Sequence, residues 1–155
     1  MKKVMFVCTG NICRSPAAEA IFKKIIKENS LENQFDIQSS GTSAYHIGEL
    51  ADGRMRDHGK QRGYDLTSIS QQFDSKKDWE NFDYIITMDE SNYRSLRSLD
   101  KDQKYTRKLS KMTSYCIVHD VLEVPDPYYG GAEGFELTYD ILEDACNGLF
   151  EKLKR

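Results

Sequence analysis

The stretch CTGNICRS at residues 8–15 joins a short apolar run to the start of a helix. The run before it, residues 4–7, is branched and aromatic, as expected of a buried strand. Pro16 follows the stretch, and a proline at the first helical position costs little because the amide there has no partner within the helix. The acidic Glu19 suits the positive end of the same helix. The stretch is therefore predicted to form a loop between a strand and a helix.

The two ends of this loop carry Cys8 and Arg14, and both suit an oxyanion. A loop between a strand and a helix can aim successive backbone N–H groups at one point in space. The same groups would stabilise a thiolate at Cys8. The planar guanidinium of Arg14 matches two oxygens of a phosphate group. A single cysteine after a strand is often a packing residue, but this combination is interpreted as a cradle for an oxyanion.

The whole chain has the composition of one globular domain. Its 155 residues can bury a substantial core, and we expect a single domain over residues 1–155. Hydrophobic residues make up 39% and charged residues 30%, a balance that argues against disorder. The apolar run near the N-terminus is too short for a signal peptide or a membrane span. We therefore expect a cytoplasmic protein with no membrane contact.

Charge and cysteine spacing limit the possible partners. The net charge is −3 and basic residues are dispersed, so no nucleic-acid partner is expected. The basic stretch at 101–111 is interpreted as a solvated surface. The four cysteines, at positions 8, 13, 116 and 146, lack the paired spacing of a zinc site. No metal and no other cofactor is expected, and the cysteines are predicted to be thiols in a reducing compartment.

Apolar periodicity predicts strands and helices that alternate along the chain. The predicted elements are helices at 16–28, 51–60, 91–99 and 135–153, and strands at 4–7, 35–38 and 84–88, with a weaker strand at 116–118. Asp89 is placed to cap the third helix, residues 40–42 to form a turn, and Gly148 interrupts the apolar face of the last helix. This alternation predicts an α/β fold with a parallel sheet covered on both faces. The site is expected at the carboxyl ends of the strands, where Cys8 lies.

A second group of chemically useful residues lies far along the chain, in VPDPYYGG at residues 124–131. Prolines on both sides of Asp126 restrict its backbone. Asp126 could simply shape a turn. A cysteine that attacks a phosphate ester, however, needs a proton donor for the leaving oxygen and then a base to activate water. A carboxyl group on a constrained loop can serve in both steps.

Taken together, these segments resemble the low-molecular-weight protein tyrosine phosphatases. The matching stretches are residues 8–20, 82–85, 88–92 and 126–130, in the family's order and over nearly the whole chain. The resemblance implies a four-stranded parallel sheet flanked by helices, with a phosphate-binding loop after the first strand. It also implies metal-free hydrolysis of phosphotyrosine proteins or peptides and of aryl phosphate monoesters. The reaction would pass through phosphocysteine and release inorganic phosphate.

The resemblance also implies roles for individual residues. Cys8 would be the nucleophile, Arg14 the phosphate clamp and transition-state stabiliser, and Asp126 the general acid and then the general base. Ser15 would hydrogen-bond the thiolate, and Asn11 would hold the unusual backbone of the loop.

The remaining implied site residues lie in the loop and around its rim. Cys13 would form a reversible disulfide with Cys8 under oxidant. The other members of the phosphate loop are Thr9, Gly10 and Ile12. The rim of the substrate pocket is expected to contain Tyr45, Tyr128 and Tyr129.

The chain departs from the family pattern in one segment. Many members carry a histidine and an arginine where this chain has Ser68 and Gln71. If that histidine supports the phosphate loop, Ser68 would replace it only in part, which puts the rate in question but not the type of reaction. The histidines at 46, 58 and 119 have no partner pattern and are interpreted as structural or surface residues.

Two other functions remain open. A thiol-dependent arsenate reductase could use a similar scaffold, but it needs further cysteines to carry the oxidation away, and Cys116 and Cys146 are far apart in the sequence. A phosphate-binding regulatory module would keep the cradle and use Tyr128 and Tyr129 for docking. A monomer is expected, with weak self-association left open.

Overall fold

In the computed structural model, four parallel strands form one sheet at the centre of the molecule. The structure describes residues 1–155 apart from the side chain of Tyr129. The strands are β1 Lys2–Cys8, β2 Phe35–Gly41, β3 Tyr84–Thr87 and β4 Leu109–Lys111, in the spatial order β2-β1-β3-β4. All three pairings are parallel, which confirms the predicted α/β fold with a four-stranded sheet.

Helices cover both faces of the sheet. They are α1 Arg14–Glu28, α2 Gly53–Gln61, α3 Asp78–Asn81, α4 Glu90–Leu99 and α5 Ala132–Leu153. Residues of α1 and α5 pack over Val4 and Phe6 of β1, whereas Trp79 and Leu96 of α3 and α4 are buried with Met5 and Val7. Successive side chains of a strand point to opposite faces, so both faces of β1 are buried and it reads as a continuous apolar run. Over the described residues, none of these helices is long and apolar enough to cross a membrane.

The central position of β1 in the sheet determines where the candidate site lies. At its end, Cys8 pairs with Gly41 of β2, and Val7 pairs with Thr87 of β3. Because the strands run in the same direction, their carboxyl ends share one edge of the sheet. The segments that leave β1, β2 and β3 at this edge are therefore close together.

Three details at this edge differ from the sequence prediction. Helix α1 begins at Arg14, two residues early, and Pro16 lies in its first turn, where a missing amide still costs nothing. Glu19 is buried, and its carboxylate binds Ser39 and Lys23 instead of facing the positive end of the helix. The turn predicted at 40–42 is wrong, because β2 continues through Gly41 in register with β1.

The strand predicted at residues 116–118 is also wrong. The backbone N–H groups of Ile117, Val118 and His119 donate to the carboxylate of Asp144 in α5. Burial alone would raise the pKa of Asp144, but these bonds outweigh it and lower the pKa to about 2. The fourth strand is β4, which ends the basic stretch and buries Leu109 in the sheet.

Gly148, which interrupts the apolar face of α5, is required by packing. A Cβ atom at this position would lie 1.8 Å from the carbonyl oxygen of Tyr115. The turn Met112–Tyr115 therefore rests directly on the backbone of α5.

Candidate active site

Polar groups from several segments meet at the carboxyl edge of the sheet. We call residues 8–15, after β1, the cradle loop, and residues 43–50, after β2, the rim loop. Asp89 follows β3, and Asp126 lies between β4 and α5. Between these segments is a cleft of about 420 Å³, lined by Thr9, Gly10, Ile12, Ser43, Tyr45, His46, Asp126 and Tyr128.

The peptide groups of the cradle loop are oriented by bonds from outside the loop. The carbonyl oxygens of Thr9, Gly10 and Ile12 accept such bonds at 2.8 to 2.9 Å, from the N–H of Ser43, the hydroxyl of Ser70 and the N–H of Asp52 respectively. A trans peptide points its C=O and the following N–H in opposite directions, and the described residues contain no cis peptide bond. The N–H groups of Gly10, Asn11 and Cys13 are therefore turned toward the inside of the loop. Convergent amides at the start of a helix form an anion site.

Asn11 gives the cradle loop its sharp turn. Its φ angle is +56°, in the left-handed region that asparagine adopts more readily than most residues. The side-chain amide donates to Ser15 at 2.8 Å and to Ser39 at 3.0 Å, and its oxygen accepts the N–H of Gln71 at 2.9 Å. All the polar atoms of this side chain are used in holding the loop.

The sulfur of Cys8 lies at the end of this buried polar network. Cys8 is 2% exposed, and its Sγ lies 3.0 Å from Oγ of Ser15. Asn11 already donates to that oxygen, so the hydroxyl hydrogen of Ser15 is available to the sulfur or, at 3.2 Å, to the carbonyl of Ser40. A thiolate at Cys8 would draw this hydrogen to the sulfur.

Arg14 is buried in the first turn of α1 and held by several partners. Its Nη1 donates to the carboxylate of Asp89 at 2.7 Å and to the carbonyl of Val124 at 3.0 Å. Its Nη2 lies 3.6 Å from the carboxylate of Asp126. Burial opposes the charge, but the sulfur of Cys8 and the two carboxylates outweigh it and raise the pKa of Arg14. The guanidinium is therefore a fixed cation within the site.

Asp126 lies at the mouth of the cleft, with its side chain 40% exposed. One carboxylate oxygen accepts the N–H of Tyr128 at 3.1 Å, and the other faces Arg14. The carbonyl of the preceding Pro125 accepts the hydroxyl of Thr138 in α5 at 3.2 Å. The carboxyl group is thus anchored beside the guanidinium and remains open to water on its other side.

Aromatic side chains form the walls of the cleft. Tyr45, which is 84% exposed, and Tyr128 both line it. The ring of His46 lies 4.7 Å from that of Tyr45 and 6.3 Å from that of Tyr128, and its Nδ1 is 3.1 Å from the Glu49 carboxylate. His46, interpreted from the sequence as a structural or surface residue, thus lines the cleft. The side chain of Tyr129, also expected at the rim, lies outside the described residues.

Known proteins share both the sequence and the fold. Residues 3–155 match the family model described as low molecular weight phosphotyrosine protein phosphatase. The chain belongs to this family.

Three relatives show the extent of the similarity. A Synechocystis protein provisionally named a low molecular weight protein-tyrosine-phosphatase is 44% identical over 151 residues, covering 97% of this chain and 96% of the relative. The low molecular weight phosphotyrosine protein phosphatase of Gallus gallus is 38% identical over 152 residues, covering 98% of this chain and 96% of the relative. A crystal structure of a protein tyrosine phosphatase from Entamoeba histolytica with Hepes in the active site has a TM-score of 0.95 and 50% sequence identity. The match covers 99% of this chain and 97% of that one.

The segment in which this chain departs from other low molecular weight phosphatases supports the cradle loop in its own way. Over the described residues, Ser68 makes no hydrogen bond to the loop. Ser70 donates instead to the carbonyl of Gly10, and the side chain of Gln71 donates to the carbonyl of Ser39 at 2.9 Å. The expected partial replacement by Ser68 is therefore not observed.

Asp89 has a second partner that the sequence did not reveal. As predicted, it caps α4 by accepting the N–H of Asn92 at 2.8 Å, in a reciprocal capping box. Its other oxygen accepts Arg14, and the side chain of Asn92 donates to the hydroxyl of Thr9 at 3.0 Å. The start of α4 thus supports the phosphatase site at two points, and only tertiary structure brings these partners together.

Burial raises the pKa of each of the other three cysteines. Cys13 lies buried in the cradle loop, and burial together with the charge of Asp52 raises its pKa. Burial raises the pKa of Cys116 to about 11 and holds that of Cys146 well above its ordinary value. Among the described residues, no group of three or more His, Cys, Asp or Glu side chains is placed to hold a metal ion.

Proposed function

We propose that this chain hydrolyses phosphotyrosine and aryl phosphate monoesters through a phosphocysteine intermediate. The observation that carries the proposal is the position of Arg14, whose guanidinium contacts the carboxylates of both Asp89 and Asp126. The inward-facing amides of the cradle loop lie beside it. A fixed cation and convergent amides suit the equatorial oxygens of a phosphoryl group during transfer.

In the first step, the thiolate of Cys8 attacks phosphorus, and the bond between phosphorus and the phenolic oxygen breaks. The electron pair of that bond goes to the oxygen, and the carboxyl group of Asp126 transfers its proton there, so tyrosine leaves as a neutral phenol. Ser15 donates to the sulfur and stabilises the thiolate before attack. Arg14 and the loop amides bind the phosphoryl oxygens in the transition state.

In the second step, the carboxylate of Asp126 takes a proton from water, and the water oxygen attacks phosphorus. The bond between phosphorus and sulfur breaks, and its electron pair returns to Cys8 as a thiolate. Inorganic phosphate leaves, and Asp126 is protonated again. Because Cys8, Asp126 and water account for every proton and electron pair, the proposed reaction needs no cofactor.

The shape of the cleft supports a phosphotyrosine protein or peptide as the substrate. Cys8 is buried and directly precedes Thr9, which lines the cleft, and the walls formed by Tyr45, His46 and Tyr128 suit an aromatic ring. A phosphorylated serine is shorter and would not carry its phosphate as far into the cleft. We place this activity in the reducing cytoplasm, where the thiol of Cys8 would persist.

Turnover of p-nitrophenyl phosphate in the presence of a chelator tests the proposal. We expect hydrolysis by the wild type and by Cys116→Ser, and none by Cys8→Ser, which should still bind phosphate because the loop amides remain. Rapid acid quench should trap phosphocysteine, and a phosphotyrosine peptide should be preferred over its phosphoserine counterpart. Thiol-dependent reduction of arsenate would instead favour the reductase, and phosphate binding without turnover would favour a regulatory module.

A further inference from the structure

Ser70 connects the cradle loop to the rim loop. Its hydroxyl donates to the carbonyl of Gly10 in the cradle loop at 2.9 Å. Its N–H donates to the carbonyl of Glu49 at 2.8 Å, and its own carbonyl accepts the N–H of Gly48 at 2.9 Å, both in the rim loop. The residue is buried, at 3% exposed, and the chemical steps proposed above do not use it.

The bond from Ser70 sets the direction of one amide. The C=O of Gly10 and the N–H of Asn11 belong to the same trans peptide and point in opposite directions. Because Ser70 holds the carbonyl oxygen outside the loop, the N–H of Asn11 is held toward its inside. Within the described part of the chain this N–H has no protein acceptor, so it is available to a phosphoryl oxygen.

The neighbouring peptides are oriented by other means. The carbonyl of Thr9 is bound by the N–H of Ser43, and that of Ile12 by the N–H of Asp52. Both donors are backbone groups, which a side-chain substitution does not remove. Of these three carbonyl partners, Ser70 alone acts through its side chain, so the Gly10–Asn11 peptide can be released by one substitution.

We propose that Ser70 is a positioning residue for phosphoryl transfer, which aims the N–H of Asn11 at the phosphoryl group. This inference rests on the proposed function. The backbone bonds of Ser70 to Gly48 and Glu49 fix it against the rim loop, which also carries Tyr45 and His46. Ser70 therefore supports both the rim loop, which a substrate would contact, and the orientation of the Asn11 amide.

Steady-state kinetics of Ser70→Ala test this proposal, with Ser68→Ala as the matched control. Removal of an oxyanion donor lowers kcat by about 10²–10³-fold. In Ser70→Ala the donor is still present but no longer oriented, so we expect kcat to fall by roughly 10- to 100-fold. Orthovanadate, which adopts the five-coordinate geometry of the transition state, should lose more affinity than inorganic phosphate. Ser68→Ala should stay within about twofold of the wild type, as expected for a surface change. Ser70→Thr, which keeps the hydroxyl, should recover most of kcat.

A second measurement does not depend on turnover. In ¹⁵N-labelled protein, inorganic phosphate should shift the amide proton of Asn11 downfield, as a hydrogen bond to an anion does. In Ser70→Ala this shift should shrink, while that of the Gly10 amide, oriented by the backbone of Ser43, should persist. The Gly10 amide is therefore an internal control within the same loop.

The outcomes separate this inference from the proposed function. If the wild type fails to hydrolyse p-nitrophenyl phosphate, the proposed function is wrong. If the wild type is active and Ser70→Ala keeps both its kcat and the phosphate-induced shift of Asn11, the role of Ser70 is overturned. Equal loss of the Gly10 and Asn11 shifts would also overturn it, because the substitution would then have disturbed the whole loop.

Discussion

Arg14 and Asp89 form a buried ion pair in which Nη1 donates to Oδ2 at 2.7 Å, with side chains 3% and 18% exposed. The same Asp89 caps α4, so one carboxylate fixes both a helix end and the cation of the site. Removing one partner of a buried pair leaves the other charge uncompensated. The orientation of Arg14 therefore depends on α4 as well as on α1.

Replacing Asp89 by asparagine separates its role as the cap of α4 from its ion pair with Arg14. Asparagine is as good a helix cap as aspartate, so any loss of stability in Asp89→Asn should come from the uncompensated charge of Arg14 and not from the helix end. The kcat/KM of this variant should fall roughly 10- to 100-fold, because hydrogen bonds to charged groups contribute about 1.5–3 kcal/mol. Asp89→Ala should in addition lose about 1 kcal/mol of stability from the missing cap. Kinetics and thermal melts of both variants check this, and wild-type kcat/KM in Asp89→Asn would contradict it.

Substitution of Asp126 should affect substrates according to their leaving groups. General acid catalysis contributes roughly 10²–10⁴-fold, and it matters most when the leaving oxygen is a poor leaving group. The kcat/KM of Asp126→Ala should fall by a factor in that range on phosphotyrosine and by much less on p-nitrophenyl phosphate. Asp126→Asn, which keeps the shape, should lose a similar amount. Equal losses on both substrates would remove Asp126 from the role of acid.

Cys13 should protect Cys8 from irreversible oxidation. Peroxide converts the Cys8 thiolate to a sulfenic acid, and the Cys13 thiol can then displace water to form a disulfide. Dithiothreitol should restore the peroxide-treated wild type, whereas Cys13→Ser should recover far less because Cys8 proceeds to sulfinic acid. Burial raises the pKa of Cys13, so disulfide formation should be slow near neutral pH and faster as the pH rises. Equal recovery, or no Cys8–Cys13 bridge by mass spectrometry, would make Cys13 a packing residue only.

Two glycines of α5 provide a stability test with an internal control. Gly134→Ala meets no atom within 4 Å, and the gain in helix propensity should raise stability by up to about 1 kcal/mol. Gly148→Ala places a methyl group 1.8 Å from the Tyr115 carbonyl oxygen, so it should destabilise the protein by about 1–3 kcal/mol, as overpacking does. Urea unfolding of the two variants measures the difference. A stabilised Gly148→Ala would contradict the close approach.

Asp144 should give stability a defined pH dependence. Its pKa in the folded protein, about 2, is below the ordinary value of 3.8. Its contribution is therefore complete above pH 4 and is lost as the pH falls toward 2. Asp144→Asn should be less stable than the wild type by about 1–2 kcal/mol at pH 7, because an amide cannot accept all the bonds that the carboxylate does. In urea unfolding the difference between the two proteins should shrink as the pH falls from 4 through 2, and a constant difference across this range would contradict the linkage.

Sequence information was sufficient where structure is set locally. Residues 4–20 combine a buried strand with a proline-started helix, and both elements are present with a shift of two residues at Arg14. The segment 116–118 misled because the branched side chains of Ile117 and Val118 favour a strand, whereas the N–H groups of these two residues bind Asp144, a residue about 26 positions away. β4 was missed because only one of its three residues is buried.

The structure brings together those candidate site residues that a motif carries. Cys8, Arg14 and Asp126 lie in recognisable stretches, and Arg14 interacts with the sulfur of Cys8 and the carboxylate of Asp126. His46 and Ser70 were not among the predicted site residues, because their contacts at the site are with other loops: the ring of Tyr128 lies beside His46, and the carbonyl of Gly10 accepts the hydroxyl of Ser70. A lone histidine or serine has no sequence pattern that reports such partners.

Because β1 is buried on both faces, the backbone should open less easily at Cys8 than at Asp126. Cys8 ends a strand embedded in the core, so its backbone should exchange amide hydrogens only when the whole sheet opens. Asp126 is attached at the surface, and a local opening of its segment should need less free energy. On warming, the protein should therefore lose its proton donor before its nucleophile. Just below the melting temperature it should still accept activated esters while turning over phosphotyrosine poorly.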